Sequence, residues 1–254
     1  MKHDFDLIVR KFGEDLKEIN IYPLGDLHVG SELFDEKMFI KWRDTVLNDP
    51  NGYVVIVGDL CDNGLKNSKT NSYEATLRPR EQKSYLVEVL YPIAEKIIGI
   101  VDGNHEYRSV YASDDSPLYD VMCKLDLEEL YRENMAFLKL NLGRKSSDRQ
   151  FSYTVVLAHG KSESKTEKFS YAIDGMDLFV TGHTHRPKTM FPAKIVIDSH
   201  NEIIRTVGYT NVVVPSFQSF GGYALRDMYM PMDGGKFPVI RLGGTKKEVS
   251  VLWK

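Results

Sequence analysis

Residues 53–64 read YVVIVGDLCDNG, a run of five apolar residues followed immediately by a polar cluster. The uninterrupted apolar run Tyr53–Val57 is typical of a strand that is buried on both faces of a parallel sheet. The polar cluster begins with Gly58 and Asp59, where the strand has to end. In open α/β sheets, ligands bind outside the carboxyl ends of the strands. This stretch therefore predicts an α/β fold whose ligand site is formed by the residues that follow its strands.

Further strands and helices flank this stretch on both sides. Glu18–Leu24 predicts a strand that ends at Gly25, and Ile97–Val101 predicts another buried strand. Asp35–Leu47 carries its apolar residues at helical spacing. Pro79–Lys96 predicts a second helix, because proline is tolerated in the first turn. The first half of the chain thus alternates strands with helices.

The second half of the chain is richer in strands. Pro117–Tyr131 predicts a helix in two pieces, and Lys161–Lys168 is interpreted as a charged, solvated loop with a phosphate groove as the alternative. The predicted strands are Phe137–Leu140, Phe151–Ala158, Leu178–Thr181, Lys194–Asp198, Val207–Val214 and Val249–Trp253. This order favours an α/β fold with a mixed sheet or two stacked sheets. Because no stretch has the composition of a linker, we expect a single domain over residues 1–254.

Composition excludes several classes of protein. The 254 residues are 42% hydrophobic and 27% charged, which is an ordinary globular composition. A net charge of -3 shows no overall basic excess of the kind that marks nucleic-acid or membrane binding. The longest apolar runs are too short to cross a bilayer, so we expect no membrane partner. The two cysteines cannot form a disulfide framework, and with no signal-peptide pattern near Met1 we expect a cytoplasmic protein.

Five polar clusters, each placed directly after an apolar run, contain five of the seven histidines. The residues in them that carry chemistry are Asp, His and Asn. Since the carboxyl ends of several strands meet at one rim, these clusters are expected to converge. The clusters are Gly25-Asp26-Leu27-His28, Gly58-Asp59-Leu60-Cys61-Asp62-Asn63-Gly64, Gly103-Asn104-His105-Glu106, His159-Gly160 and Gly182-His183-Thr184-His185.

These residue types indicate a metal site. Carboxylate and imidazole ligands suit Mn, Fe, Zn, Ni or Co. Residues two apart on an extended segment point to the same side, so Asp26 with His28, and His183 with His185, can each present two ligands together. A carboxylate can bridge two cations, and Asp59 is the candidate. Two metal ions about 3.5–4 Å apart can clamp the attacking and leaving oxygens of a phosphoryl displacement.

The five clusters, in this order, resemble the motifs of the calcineurin-like metallophosphoesterases, which include Ser/Thr phosphatases and Mre11/SbcD-type nucleases. The resemblance runs from Asp26 to His185. It implies a four-layer α/β/β/α sandwich with two mixed sheets. It also implies two divalent cations. Mn is the expected metal because it is common in this family, and Fe, Zn, Ni or Co are the alternatives. One cation would be held by Asp26, His28 and His185, the other by Asn104, His159 and His183, with Asp59 between them.

The resemblance also implies roles around the substrate. His105 would protonate the leaving oxygen, and Asp62 would orient its imidazole and raise its pKa, as an acid acting near pH 7 requires. Ser/Thr phosphatases carry a phosphate-gripping Arg where this chain has Asn63. Arg108, three residues after His105, could supply a guanidinium instead, and Asn104, Arg108 and Asn63 are the predicted substrate-binding residues.

These observations predict a metal-dependent phosphoester hydrolase that uses a hydroxide held between the cations. The absent phosphatase Arg at Asn63 and the polar and basic loops beside the motifs favour a phosphodiesterase or nuclease, with DNA, RNA or a nucleotide as substrate. A phosphomonoesterase acting on a small or protein phosphate is the alternative, because the pairing of Asp62 with His105 fits it equally well. A binding scaffold without catalysis is a third reading, but each expected ligand is present. The sequence leaves the oligomeric state and the role of residues 186–254 open.

Overall fold

The computed structural model describes residues 4–65, 74–144, 149–231 and 235–254. Its strands are β1 (Ile8–Lys11), β2 (Glu18–Leu24), β3 (Gly52–Ile56), β4 (Ile97–Val101), β5 (Tyr131–Arg132), β6 (Met135–Leu142), β7 (Phe151–Ala158), β8 (Leu178–Thr181), β9 (Lys188–Met190), β10 (Ala193–Asp198), β11 (Ile203–Gly208), β12 (Thr210–Val213), β13 (Pro238–Gly243) and β14 (Val249–Trp253). Its α-helices are α1 (Glu36–Leu47), α2 (Pro79–Leu90), α3 (Asn104–Ser113), α4 (Pro117–Lys124), α5 (Glu163–Ser170) and α6 (Gly222–Arg226).

The strands form two six-stranded mixed sheets and one separate hairpin. The first sheet has the order β1-β6-β7-β8-β12-β9, and the second has the order β14-β13-β2-β3-β4-β5. In the second sheet β2, β3, β4 and β5 run parallel, while β13 is antiparallel to β2. In the first sheet β8 runs parallel to both of its neighbours, β7 and β12. The polar clusters follow the carboxyl ends of five of these strands: β2, β3, β4, β7 and β8.

Two apolar layers hold the sheets and helices together. Between the sheets, Ile21 and Val55 of the second sheet share one buried cluster with Leu138 and Val155 of the first. On the outer face of the second sheet, side chains of α1, α2 and α4 share another cluster with the strands. Trp42, at 0% exposure, is the largest of them.

The outer face of the first sheet has a thinner cover. Val156 and Phe179 pack there with Tyr209, and the hydroxyl groups of Ser170 and Tyr209 are 2.6 Å apart at the end of α5. The layers therefore follow the order helix, sheet, sheet, helix. This confirms the four-layer α/β/β/α sandwich with two mixed sheets. None of the helices in the described ranges is both long and apolar enough to cross a membrane.

The predicted helix Pro79–Lys96 is helical throughout, but it changes from an α-helix to a 3₁₀-helix after Leu90, because Pro92 has no N–H to donate to the preceding turn. Two other sequence-based assignments are wrong. Residues Val207–Val214 are not one strand: β11 pairs with β10 in the hairpin, and β12 pairs with β8 in the first sheet. Lys161–Lys168 is not a loop throughout, since α5 begins at Glu163.

Candidate metal centre

The five polar clusters converge at one edge of the sandwich. Those that follow β2, β3 and β4 come from the second sheet, and those that follow β7 and β8 come from the first. Main-chain hydrogen bonds tie the clusters to one another: Asp26 N donates to Gly58 O at 3.0 Å, and Gly182 N donates to His159 O at 3.0 Å. The two sheets therefore present their ligands to a common space.

Asp26, His28 and His185 form the first cluster of ligand atoms. His185 Nε2 lies 3.2 Å from Asp26 Oδ1, and His28 Nε2 lies 3.1 Å from His185 Nε2. The Asp26 carboxylate is fully buried, and His183 N donates to its Oδ2 at 3.0 Å. These three side chains therefore aim at one point from a fixed carboxylate.

Asn104, His159 and His183 form the second cluster. Asn104 Oδ1 lies 3.0 Å from His159 Nε2 and 2.7 Å from His183 Nδ1. The two imidazole nitrogens, His159 Nε2 and His183 Nδ1, are 3.2 Å apart. Three donors from three different strand ends thus meet within hydrogen-bond distance.

Asp59 lies between the two clusters. Its Oδ2 is 3.2 Å from His159 Nε2 and 4.0 Å from His28 Nε2, so one oxygen faces a histidine of each cluster. Its Oδ1 accepts a hydrogen bond from His105 N at 2.8 Å, which fixes the orientation of the carboxylate. Within Asp26–His28–His185, and within Asp59–His159–His183, the ligand atoms all lie within 4.8 Å of one another.

The chemistry of this donor set fits divalent metal ions. Four imidazoles, two carboxylates and one amide oxygen are the ligands that Mn, Fe or Zn take, and these clusters contain no thiolate. Asp26, His28 and Asp59 are at most 3% exposed, so their nitrogen and oxygen atoms have little access to water. Buried nitrogen and oxygen lone pairs that converge on one point are well suited to a cation.

The backbone is strained at the same positions. Non-glycine residues seldom adopt a positive φ, and such strain concentrates at functional sites. Six of the ten non-glycine residues with positive φ in the described ranges belong to the polar clusters, with φ between 46° and 69°. They are Asp26, His28, Asp59, Asn63, His183 and His185.

The carboxylates and imidazoles shift the pKa values of one another. Burial alone raises the pKa of Asp59, but the imidazoles of His159 and His105 outweigh it and hold that pKa well below its usual range. Burial lowers the pKa of His159, but the Asp59 carboxylate, which is hydrogen-bonded to it, and the more distant Asp26 raise that pKa to about 10. The charged forms of carboxylate and imidazole therefore support each other until a cation displaces the proton.

His105 lies beside Asp59, but it is not oriented as the sequence suggests. Its Nδ1 donates to the main-chain oxygen of Asp62 at 2.7 Å, whereas the nearest carboxylate oxygen of Asp62 is 3.6 Å away. Because a carbonyl oxygen only accepts, Nδ1 carries the hydrogen, and Nε2 accepts from Arg108 Nη2 at 2.9 Å. Burial, with a further contribution from Arg108, lowers the pKa of His105. The expectation that the Asp62 carboxylate orients this imidazole and raises its pKa is wrong in this arrangement.

Asn63 is also placed differently from the prediction. Its side chain is buried, and its amide donates to His105 O at 2.7 Å and to Ser109 Oγ at 2.9 Å. Its backbone, with a φ of 46°, turns the side chain inward under α3. Asn63 therefore holds the start of α3, and its side chain is closed off from solvent. Arg108, one turn further along α3, brings a guanidinium to the imidazole of His105 instead.

Comparison with known protein families agrees with this geometry. The sequence profile of the family described as calcineurin-like phosphoesterase matches residues 19–187, well over half of the chain. The chain belongs to this family. A search of curated proteins finds none that matches.

Solved structures similar to this phosphoesterase are distant. A metallophosphoesterase from Sphaerobacter thermophilus is 15% identical, with a TM-score of 0.43 and coverage of 93% of this chain and 88% of that one. A predicted phosphoesterase from Streptococcus pneumoniae is 12% identical, with a TM-score of 0.38 and coverage of 94% and 99%. Zinc-bound Vps29 from Entamoeba histolytica is 12% identical, with a TM-score of 0.40 and coverage of 93% and 98%. At these values the structures carry no argument about activity.

Sequence reasoning missed the role of Glu106 in this phosphoesterase. Its fully buried carboxylate accepts from the backbone N–H groups of Asp59 at 2.8 Å, Cys61 at 2.9 Å and Gly103 at 3.0 Å. It therefore fastens the loop that carries Asp59 to the first turn of α3. The available signal was its position three residues after Gly103, because a Glu at that place in a helix caps the helix start.

Two cavities, each of about 530 Å³, open beside the clustered Asp, His and Asn side chains of this phosphoesterase. The His185 cavity borders His183 and His185, and residues 215–230 form much of its wall. The His159 cavity borders Asn104 and His159 and contains Lys161 and Lys165. The two cavities have no lining residue in common. Gly160 and Lys161 line the His159 cavity, whereas the next two residues, Ser162 and Glu163, line the His185 cavity. Residues of the two clusters thus line two cavities that share no lining residue.

Proposed function

We propose that this protein hydrolyses phosphodiesters, with nucleic acid or nucleotides as substrates, and that it uses two divalent cations. Family membership and the His/Asp clusters support a metal-dependent phosphoesterase. The observation that supports the finer proposal is the pair of cavities, one lined by His183 and His185 and the other by Asn104 and His159. A phosphodiester has two substituents on phosphorus, and this arrangement offers a space for each.

The ligand clusters define which residues would hold the cations. Asp26, His28 and His185 would hold one, and Asn104, His159 and His183 the other, with Asp59 in contact with both. Mn²⁺ is the proposed ion, and Fe, Zn, Ni and Co suit the same ligands. When bound, such cations neutralise charge on phosphoryl oxygens and lower the pKa of water to provide a nucleophile near pH 7.

His105 and Arg108 would serve the phosphoryl group and the leaving oxygen. Arg108 now donates to His105 Nε2, and a protonated imidazole could not accept that bond. We therefore propose that the phosphoryl oxygens of the substrate take over the guanidinium of Arg108. Nε2 of His105 is then free to take up a proton from solvent and to donate it to the leaving oxygen. Asn104 would contribute its amide beside the phosphoryl oxygens, in addition to its role as a ligand.

One observation favours a phosphomonoesterase as a second candidate function. A guanidinium beside the imidazole of His105 is suited to a terminal phosphate, whose oxygens can take a forked pair of hydrogen bonds. The two candidates differ in which ester is hydrolysed faster.

An activity screen of metal-reconstituted protein tests both. We expect bis-p-nitrophenyl phosphate to be hydrolysed faster than p-nitrophenyl phosphate, and single-stranded DNA, RNA and cyclic nucleotides then identify the natural class. Faster hydrolysis of the monoester would contradict the diesterase proposal. A protein that takes up no metal under any loading condition, as measured by elemental analysis, would contradict both candidates.

A further inference from the structure

The His185 cavity has walls of a distinct chemical kind. Its apolar surface is built by Phe220, Met230, Leu33 and Pro187, and the aromatic ring of Tyr229 also lines it. Phe220 remains 44% exposed, so its ring is accessible from the cavity and from solvent. Large apolar side chains left open beside a polar centre indicate a place where a ligand covers them.

Polar groups occur within the same walls. Thr184, Gln218 and Ser162 line the cavity together with Arg186 and Glu163. A fatty chain has no groups that could use these donors and acceptors. A flat ring with hydrogen-bonding edges uses both kinds of wall at once, because its faces stack on aromatic side chains and its edges meet polar ones. A nucleobase is a ring of this kind.

The wall of the cavity is attached directly to the metal centre. Ser216 Oγ donates to Asp26 O at 2.9 Å, and Phe217 N donates to the same oxygen at 3.1 Å. Further along, Ser219 N donates to Leu33 O at 2.8 Å. Phe220 therefore follows a backbone segment that is fixed to a ligand residue at one end and to the opposite wall at the other. The backbone that leads into Phe220 is therefore fixed relative to Asp26.

From these contacts we propose that the His185 cavity is a nucleoside site, in which Phe220 stacks on the base of a nucleotidyl ester whose phosphate lies at the metal centre. This inference rests on the proposed function, and it assigns one substituent of the diester to one cavity. The His159 cavity, which is lined by Lys161 and Lys165 together with Glu133, takes the other substituent.

Two p-nitrophenyl diesters test the proposal. The p-nitrophenyl ester of thymidine 5′-phosphate and methyl p-nitrophenyl phosphate share the leaving group and differ in the nucleoside. In Phe220→Ala, the ratio of kcat/KM for the thymidine ester to that for the methyl ester should fall about tenfold, which is the order expected for one lost stacking contact. Phe220→Tyr keeps the ring and should keep the ratio. Leu225→Ala is the matched control, because Leu225 is exposed on the same segment and does not line the cavity.

A binding measurement keeps this inference separable from the proposed function. Calorimetric titration of the metal-loaded protein with thymidine 5′-monophosphate should show binding that Phe220→Ala weakens about tenfold and Phe220→Tyr retains. If neither diester is hydrolysed but this pattern is seen, the diesterase proposal fails and the nucleoside site stands. An unchanged kcat/KM ratio in Phe220→Ala, or binding of the monophosphate that is absent or equal in both proteins, would overturn the nucleoside site.

Discussion

Gly182 leaves no room for a side chain beside the first ligand cluster. A Cβ added at this position would lie 2.4 Å from Asp26 Oδ2, and real Cβ atoms essentially never come closer than 3.0 Å to another heavy atom. In Gly182→Ala the Asp26 carboxylate and the backbone at residue 182 therefore have to separate by at least 0.6 Å. Metal–ligand distances tolerate about 0.2 Å. Since Asp26 is fully buried and held by His183 N, its carboxylate cannot turn to another position at no cost.

We expect two measurable consequences of Gly182→Ala. The affinity of the first cluster for Mn²⁺ or Zn²⁺ should fall at least tenfold, because displaced supporting groups alone cost about 10–100-fold. The free energy of unfolding of the metal-free protein should fall by about 1–3 kcal/mol, which is typical of overpacking. Calorimetric titration with the metal measures the first quantity, and urea unfolding of the metal-free protein measures the second.

Gly208→Ala is the matched control. The added Cβ would have its closest contact 3.4 Å from Pro192 O, at the end of the hairpin strand β11, so affinity and stability should both stay near those of the unsubstituted protein. If Gly182→Ala binds metal with undiminished affinity and the same stoichiometry, Asp26 is not a ligand and the first cluster has been assigned incorrectly.

Three further predictions concern the second cluster, the loop that carries Asp59, and the leaving group. Glu106→Gln places an amide NH₂ against backbone N–H donors, so the free energy of unfolding should fall by about 1–3 kcal/mol in urea denaturation; Glu88→Gln, on the exposed side of α2, should not change it. Because the pKa of His159 is about 10 without metal, its proton competes with the cation for the imidazole. The Kd for the metal ion should therefore fall about tenfold for each unit that the pH rises between about pH 7 and 9, as measured by competition titration. A metal affinity that does not depend on pH would contradict this. His105→Ala should leave metal content intact and slow alkyl esters more than p-nitrophenyl esters, and equal loss on both would argue against the acid role.

The strands were predictable where one simple pattern determines them. Glu18–Leu24 and Phe151–Ala158 have the predicted bounds, because apolar side chains run through them and turn residues or charges end them. Helix α3 was missed, because its first residues are those of a motif and its cap is the side chain of Glu106 acting on backbone groups. The break at Tyr209 was missed, because β11 and β12 are both rich in β-formers and only tertiary pairing separates them.

The site was predictable in kind but not in orientation. Residue types and their places after strands bring together seven ligand candidates, which is a statement about topology. The inward turn of Asn63 depends on a φ of 46°, and the hydrogen-bond partner of His105 is a main-chain oxygen. Neither feature can be predicted from the residue types. The wall that contains Phe220 has no periodicity, because it is an irregular segment whose place is set by hydrogen bonds to Asp26 and Leu33.

Those bonds have a consequence for how new specificities could arise on this scaffold. Ser216 and Phe217 both donate to the carbonyl of Asp26, so an insertion or deletion between residues 215 and 219 would displace a residue that we propose as a cation ligand. Replacing the side chain at Phe220 would not, since the backbone that holds it stays in register. On that side of the cleft, new specificities should therefore arise through point substitutions, whether by natural mutation or by design. Changes of loop length there should weaken metal binding.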